Sequence, residues 1–108
     1  MTKKEQDIAQ TIAARIKSRD PDAEVILFGS RARGQAHEES DWDILILMNR
    51  AKKSRSDENL YRDEIFQLEL ELGESISTLI YSKKEWENIL IHTPIHQNIK
   101  NEGITLAS

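Results

Sequence analysis

Apolar residues recur along this chain with two different periods, and the switches between them mark out its elements. From Lys4 to Lys17, Ile8, Ile12 and Ile16 return at every fourth position with Ala9 and Ala13 beside them, so one face of a helix is apolar. "SRDPD" follows, where Pro21 cannot continue the helix. "AEVILFG" then carries four consecutive apolar residues bounded by Gly29, too few for a helix, which predicts a buried strand over Glu24 to Phe28. A second run, "DILILM", predicts a strand over Asp41 to Met48, and the two flank one turn as adjacent central strands.

Ala51 to Asn59 is polar and reads as a loop, with Asp57 suited to cap the next element. Tyr61, Ile65, Leu68 and Leu72 then fall at i, i+4, i+7 and i+11, with Glu64, Glu69 and Glu71 away from that stripe, predicting an amphipathic helix that ends near Gly73. "SISTLIYS" predicts a third strand over Ser75 to Tyr81, its Ile, Thr and Tyr content suiting a pleated surface. The tail reads as a helix from about Lys83 to Ile91, a break at Pro94, a short helix to about Glu102 and a last edge strand after Gly103. The fold class is therefore α/β, a small mixed central sheet flanked by helices, with residues 1–108 as a single domain.

Length and charge narrow the classes. A chain of 108 residues supports one modest core, and its longest uninterrupted apolar run, Ile44 to Met48, is too short to cross a bilayer. "MTKKEQDIAQ" has no apolar stretch behind its lysines, which argues against a secretory signal, and the absence of cysteine excludes disulfides and thiolate metal sites. A cytoplasmic setting is expected. The net charge of -4 argues against general nucleic-acid coating but leaves room for a local phosphate site, because positive charge gathers at Arg31 and Arg33 and again in "KKSR", Lys52 to Arg55.

The chemistry concentrates in "FGSRARGQAHEESDWDILILM". Asp41 and Asp43 stand two apart at the entry of a strand, so both carboxylates leave the same face while Trp42 points to the other. Two such carboxylates are costly together unless a cation joins them, and Mg²⁺ carrying phosphates is a natural guest; a solvated turn with strand-capping aspartates is the plain alternative. Gly29 and Ser30 end the preceding strand, where glycine permits close backbone approach and the following amides and hydroxyl can face an anion. Arg31 and Arg33 can bond phosphate oxygens, or one can point to solvent, and Gly34 ends the short helical turn.

"GSRARG" followed by "SDWD" resembles the signature of the DNA polymerase beta-like nucleotidyltransferases: Gly29-Ser30, ten residues, then Asp41-x-Asp43. In length and element order the whole chain looks like the minimal nucleotidyltransferases, single domains with the polymerase beta palm-like fold. The resemblance implies transfer of a nucleoside monophosphate, AMP from ATP, to an acceptor hydroxyl. It implies Asp41 and Asp43 as catalytic residues holding two Mg²⁺ ions, with Gly29, Ser30, Arg31, Arg33 and Ser40 at the nucleotide. It further implies an antitoxin-type role beside a small helical HEPN-family partner whose tyrosine is the acceptor, against the alternative of a free monomer or homodimer. One departure stands out. The family draws a third carboxylate from the next central strand, and "GESISTLIYS" offers Ser75, Ser77 and Thr78 there, with Glu74 at its very start. A nucleotide-binding or partner-binding module with little turnover is the alternative that this departure motivates.

Other residues carry less. His92 and His96 have a zinc-like spacing broken by Pro94 and lack an acidic third ligand, and His37 reads as a solvated loop residue. Trp42 and Trp86 fit core packing better than base stacking, and Lys52, Lys53 and Arg55 read as a solvated loop rather than a partner patch.

Overall fold

Thr2 starts the first helix, α1 (Lys3–Arg19), through a capping box: its hydroxyl accepts from the Glu5 amide and the Glu5 carboxylate accepts from the Thr2 amide. Ile8, Ala9, Ile12, Ala13 and Ile16 form its buried face as the spacing predicts. The computed structural model describes residues 1–88 and 90–107, and the remaining elements are β1 (Glu24–Phe28), α2 (Gly29–Ala32), β2 (Trp42–Met48), α3 (Arg55–Leu72), β3 (Ile76–Ser82), α4 (Lys83–Asn88), α5 (Pro94–Glu102) and β4 (Ile104–Ala107). The sheet order is β3-β2-β1-β4, with β1 antiparallel to β2 and β4 and β2 parallel to β3. This is the mixed sheet expected, with β1 and β2 central.

Alternation along the strands divides the core in two. Val25, Leu27, Trp42, Ile44, Ile46, Met48, Ile76 and Ile80 pack with α1 and α3 on one face, while Leu45 and Leu47 meet Trp86 of α4 and Ile99 of α5 on the other. Burial on both faces explains why β2 reads as a continuous apolar run instead of an alternating one. Among the described residues no helix is long and apolar enough to cross a membrane.

Two boundaries and one burial differ from the sequence reading. The expected loop through Asn59 is already helix from Arg55: Ser54 is the N-cap, and Asp57 lies at the third helical position, closing a second capping box instead of acting as the cap itself. α4 ends at Asn88; its expected extension to Ile91 includes Ile89, which lies outside the described residues, and Leu90 to Thr93 form bends and turns. Pro94 breaks the chain there as expected and occupies the first position of α5, where its missing N–H costs nothing. Glu64, read as lying away from the apolar stripe, is buried between α3 and α1, where Arg15 and Arg19, one turn apart, both bond its carboxylate.

Candidate functional site

Antiparallel register brings the two halves of the motif together. Phe28, the last residue of β1, pairs with Asp43, so the Gly29-Ser30 turn leaves the sheet beside the Asp41-Trp42-Asp43 entry of β2. Gly29 has φ +74°, a conformation that side-chain-bearing residues rarely adopt, and a Cβ there would stand 2.1 Å from Asp43 Oδ2. The carboxylate therefore lies against the backbone of the turn, in space that only glycine leaves open. Gly34, at φ +73°, closes the turn as expected, its amide donating to the Arg31 carbonyl, while the amides of Arg33 and Gln35 donate to the carbonyls of Gly29 and Ser30.

Trp42 is fully buried on the α1 side, so Asp41 and Asp43 project together on the opposite side; Asp41 is exposed and Asp43 half-buried. Burial first, then the charge of Asp41, raises the Asp43 carboxyl above its ordinary range, and Arg33 pulls it back. Two like charges in this position favour a cation between them. Among the described residues no third His, Cys, Asp or Glu joins them as a ready-made metal cluster. β3 shows why: in the parallel register the residue beside Asp43 is Ser77, whose side chain shares its face. Glu74 does not fill the gap. It lines a cavity of about 530 Å³ with Thr2, Lys4, Glu5, Arg31 and His37, and none of Gly29, Ser30, Asp41 or Asp43 lines that cavity.

The two arginines separate. Arg31 is only 5% exposed, and its guanidinium donates to the carbonyls of His37, Glu38 and Ser40, bonds Glu5, and lies 4.4 Å from the centre of the Trp42 ring. It fastens the loop that delivers Asp41 and Asp43 and is turned away from the turn's open face. Arg33 is exposed, bonded to Gln35 and Glu102 and near enough to Asp43 to influence it. Ser40 is part of the same fastening: its carbonyl receives Arg31 and its hydroxyl accepts from the His37 amide. By contrast, no group among the described residues engages the hydroxyl of half-buried Ser30.

His96 is buried against Trp86 with ring centroids 4.6 Å apart, His92 is exposed, and His37 lies in the exposed loop accepting from the Glu39 amide. Both tryptophans pack in the core. Lys53 is not a solvated loop residue: its ammonium donates to the Ile80 carbonyl and sits over the Tyr81 ring, whereas Lys52 and Arg55 are exposed. Sequence reasoning missed the steric partnership of Gly29 with Asp43, which only the register reveals.

Comparison with known proteins agrees with this geometry. Residues 9–105 match the family described as "Nucleotidyltransferase domain", so the chain belongs to that family. Among solved structures, it resembles the crystal structure of a toxin-antitoxin with AMP-PNP, with a TM-score of 0.62 and 17% identity over 92% of this chain and 73% of that one. At that identity the likeness is one of fold. No curated protein matches the chain.

Proposed function

We propose that this member of the nucleotidyltransferase domain family is a Mg²⁺-dependent enzyme that moves AMP from ATP to an acceptor hydroxyl. The observation that carries the reading is the lodging of the Asp43 carboxylate against the Gly29 backbone, which puts a cation-seeking pair beside an anion-receiving turn. Asp41 and Asp43 would hold Mg²⁺, and the two carboxylates fit it because, among the described residues, neither has an ion-pair partner and Arg33 alone offsets the charge of Asp43. When bound, the metal supplies charge neutralisation at the phosphate oxygens. The turn's backbone amides and the Ser30 hydroxyl receive the triphosphate, with Arg33 on the exposed side to bind a phosphate oxygen. Arg31 and Ser40 act as positioning residues through the loop. The structural neighbour, a toxin-antitoxin with AMP-PNP, supports an adenosine nucleotide and a toxin-type protein as acceptor, and a HEPN-like identity for that protein rests on the resemblance of the sequence motif alone.

Incubation with α-labelled ATP, Mg²⁺ and the chain co-expressed with its genomic neighbour tests this. Transfer of label, lost in Asp41→Asn and Asp43→Asn, is the expected result; label transfer that survives both substitutions refutes the assignment. Ser77 beside Asp43 favours a second reading, a nucleotide-binding module with little turnover. Calorimetric binding of Mg-ATP with no pyrophosphate released over long incubation would select it.

A further inference from the structure

β3 lies at the rim of the sheet, and its outer edge is capped at three points. The Ile76 amide donates to the Glu69 carboxylate at one end, and at the other the Ile80 carbonyl accepts from Lys53 and the Ser82 amide donates to the Glu85 carboxylate. In a parallel pairing, alternate residues turn their backbone groups to opposite sides, so Ile76, Thr78 and Ile80 face away from β2. The Ile76 carbonyl, both backbone groups of Thr78 and the Ile80 amide remain along that edge, and among the described residues no side chain engages them. Beside this window runs a groove of about 400 Å³ lined by Arg62, Ile65, Phe66, Glu69 and the Ile76 to Thr78 stretch. On its wall Phe66 is 60% exposed, and Leu70, beyond the groove and one turn along α3, is 71% exposed. An aromatic and a leucine held in water beside an uncovered strand edge are unusual on a surface that otherwise guards its edge with Lys53.

We propose that this window takes an extended segment of a partner polypeptide by strand addition, with an apolar side chain of that segment resting on Phe66 and Leu70. Backbone groups at strand spacing select an extended backbone as occupant, and the apolar wall selects alternating apolar side chains. A second copy of this chain suits the window less well: two-fold pairing about Thr78 would set Ile76 of one copy against Ile80 of the other, and Lys53 already occupies the Ile80 carbonyl. The docked segment would lie at the level of Ser77, two strands from Asp43, about 10 Å across the sheet. Side chains of the segment that rest on Phe66 would lie on the α3 face and the alternate ones on the face that carries Asp43, and the partner's role as acceptor rests on the function proposed above.

The probe is a displayed library of random nonapeptides selected on the intact chain, with the best binder synthesised and titrated into ¹⁵N-labelled protein. The Thr78 and Ile80 amides should shift and gain protection from exchange. Thr78→Pro removes the outward N–H at an edge position that tolerates proline, and Phe66→Glu removes the apolar wall at an exposed site. Each should weaken peptide binding by roughly tenfold or more while Mg-ATP affinity, measured by calorimetry, stays unchanged. Selected peptides whose shifts map elsewhere, or protection of the same amides by concentration-dependent dimerisation of the chain alone, would overturn the proposal. Mg-ATP binding without peptide docking overturns the docking surface alone. Peptide docking on β3 without Mg-ATP binding upholds the surface and overturns the nucleotidyltransfer reading.

Discussion

Replacing Gly29 with alanine imposes two costs that a neighbouring glycine can separate. At φ +74°, an alanine costs roughly 1–2 kcal/mol of backbone strain, and its Cβ would stand 2.1 Å from Asp43 Oδ2 and 3.0 Å from Cγ, so the carboxylate must turn away. Gly34 has nearly the same backbone, φ +73°, with nothing within 4 Å of an added Cβ. Gly34→Ala therefore carries the strain without the collision. In calorimetric melting both variants should lose stability, about 4–8 °C per kcal/mol for a domain of this size. In titration with Mg-ATP they should part. Displacing one of two carboxylates forfeits a charge-assisted contact of about 1.5–3 kcal/mol, so Gly29→Ala should raise Kd by roughly ten- to a hundredfold, while Gly34→Ala leaves it near native. Equal affinity losses in the two variants, or native affinity in Gly29→Ala, would refute the idea that Gly29 exists to admit the Asp43 carboxylate.

Asp41→Asn and Asp43→Asn should each abolish Mg²⁺-dependent ATP binding by calorimetry. Because Asp43 is raised by its burial and by Asp41, Asp43→Asn should melt no lower than the native chain in metal-free buffer, and a large drop would assign it a structural role. Arg31→Ala should cost about 2–3 kcal/mol in urea unfolding, since several carbonyls and Glu5 lose a buried partner, and Arg31→Lys should recover only part because an ammonium cannot reproduce the planar fork. The pH dependence has a definite sign. The Thr2 amide, ahead of other contacts, holds Glu5 below its ordinary range, and Asp57 is likewise lowered, the Ser54 and Arg50 bonds outweighing a burial effect that pulls upward. The unfolded chain therefore binds these protons first as pH falls, so their contribution is complete above the ordinary carboxylate range and fades below it; the urea midpoint should fall between about pH 5 and pH 3, and an unchanged midpoint would contradict this.

Periodicity controls the part of this fold that was legible in the sequence. Strand spacing of two put Asp41 and Asp43 on one face and Trp42 on the other, and the structure keeps both assignments. Arg31 and Arg33 were indistinguishable by type and setting, yet two positions on a helical turn of 3.6 residues point nearly opposite ways, and only packing on Trp42 decides which one turns inward. The start of α3 was readable from Ser54-x-x-Asp57, a capping-box spacing hidden within a polar run. Glu64 also had a signal, the Arg15 and Arg19 pair one turn apart on α1, but its meaning required knowing that α1 and α3 lie side by side.

The missing acid gains meaning from register in the same way. As a sequence observation, "GESISTLIYS" merely lacks an aspartate; in the sheet, the lack is specific, because Ser77 sits beside Asp43 and shares its face. A hydroxyl there can bond a ligand but supplies no fixed charge at neutral pH. Under the proposed function, a third anionic group at the pair would come from the nucleotide's own phosphates or from a partner, and β3, the strand that carries Ser77 in that place, is also the strand whose outer edge stands open. Ser77→Asp distinguishes the two sources. If the third acid only strengthens metal binding, the variant should bind Mg-ATP more tightly in isolation; if a partner's carboxylate fills that place, the gain in the isolated chain should vanish once the partner is bound. A gain that persists unchanged in the complex would show that no partner acid reaches Asp43.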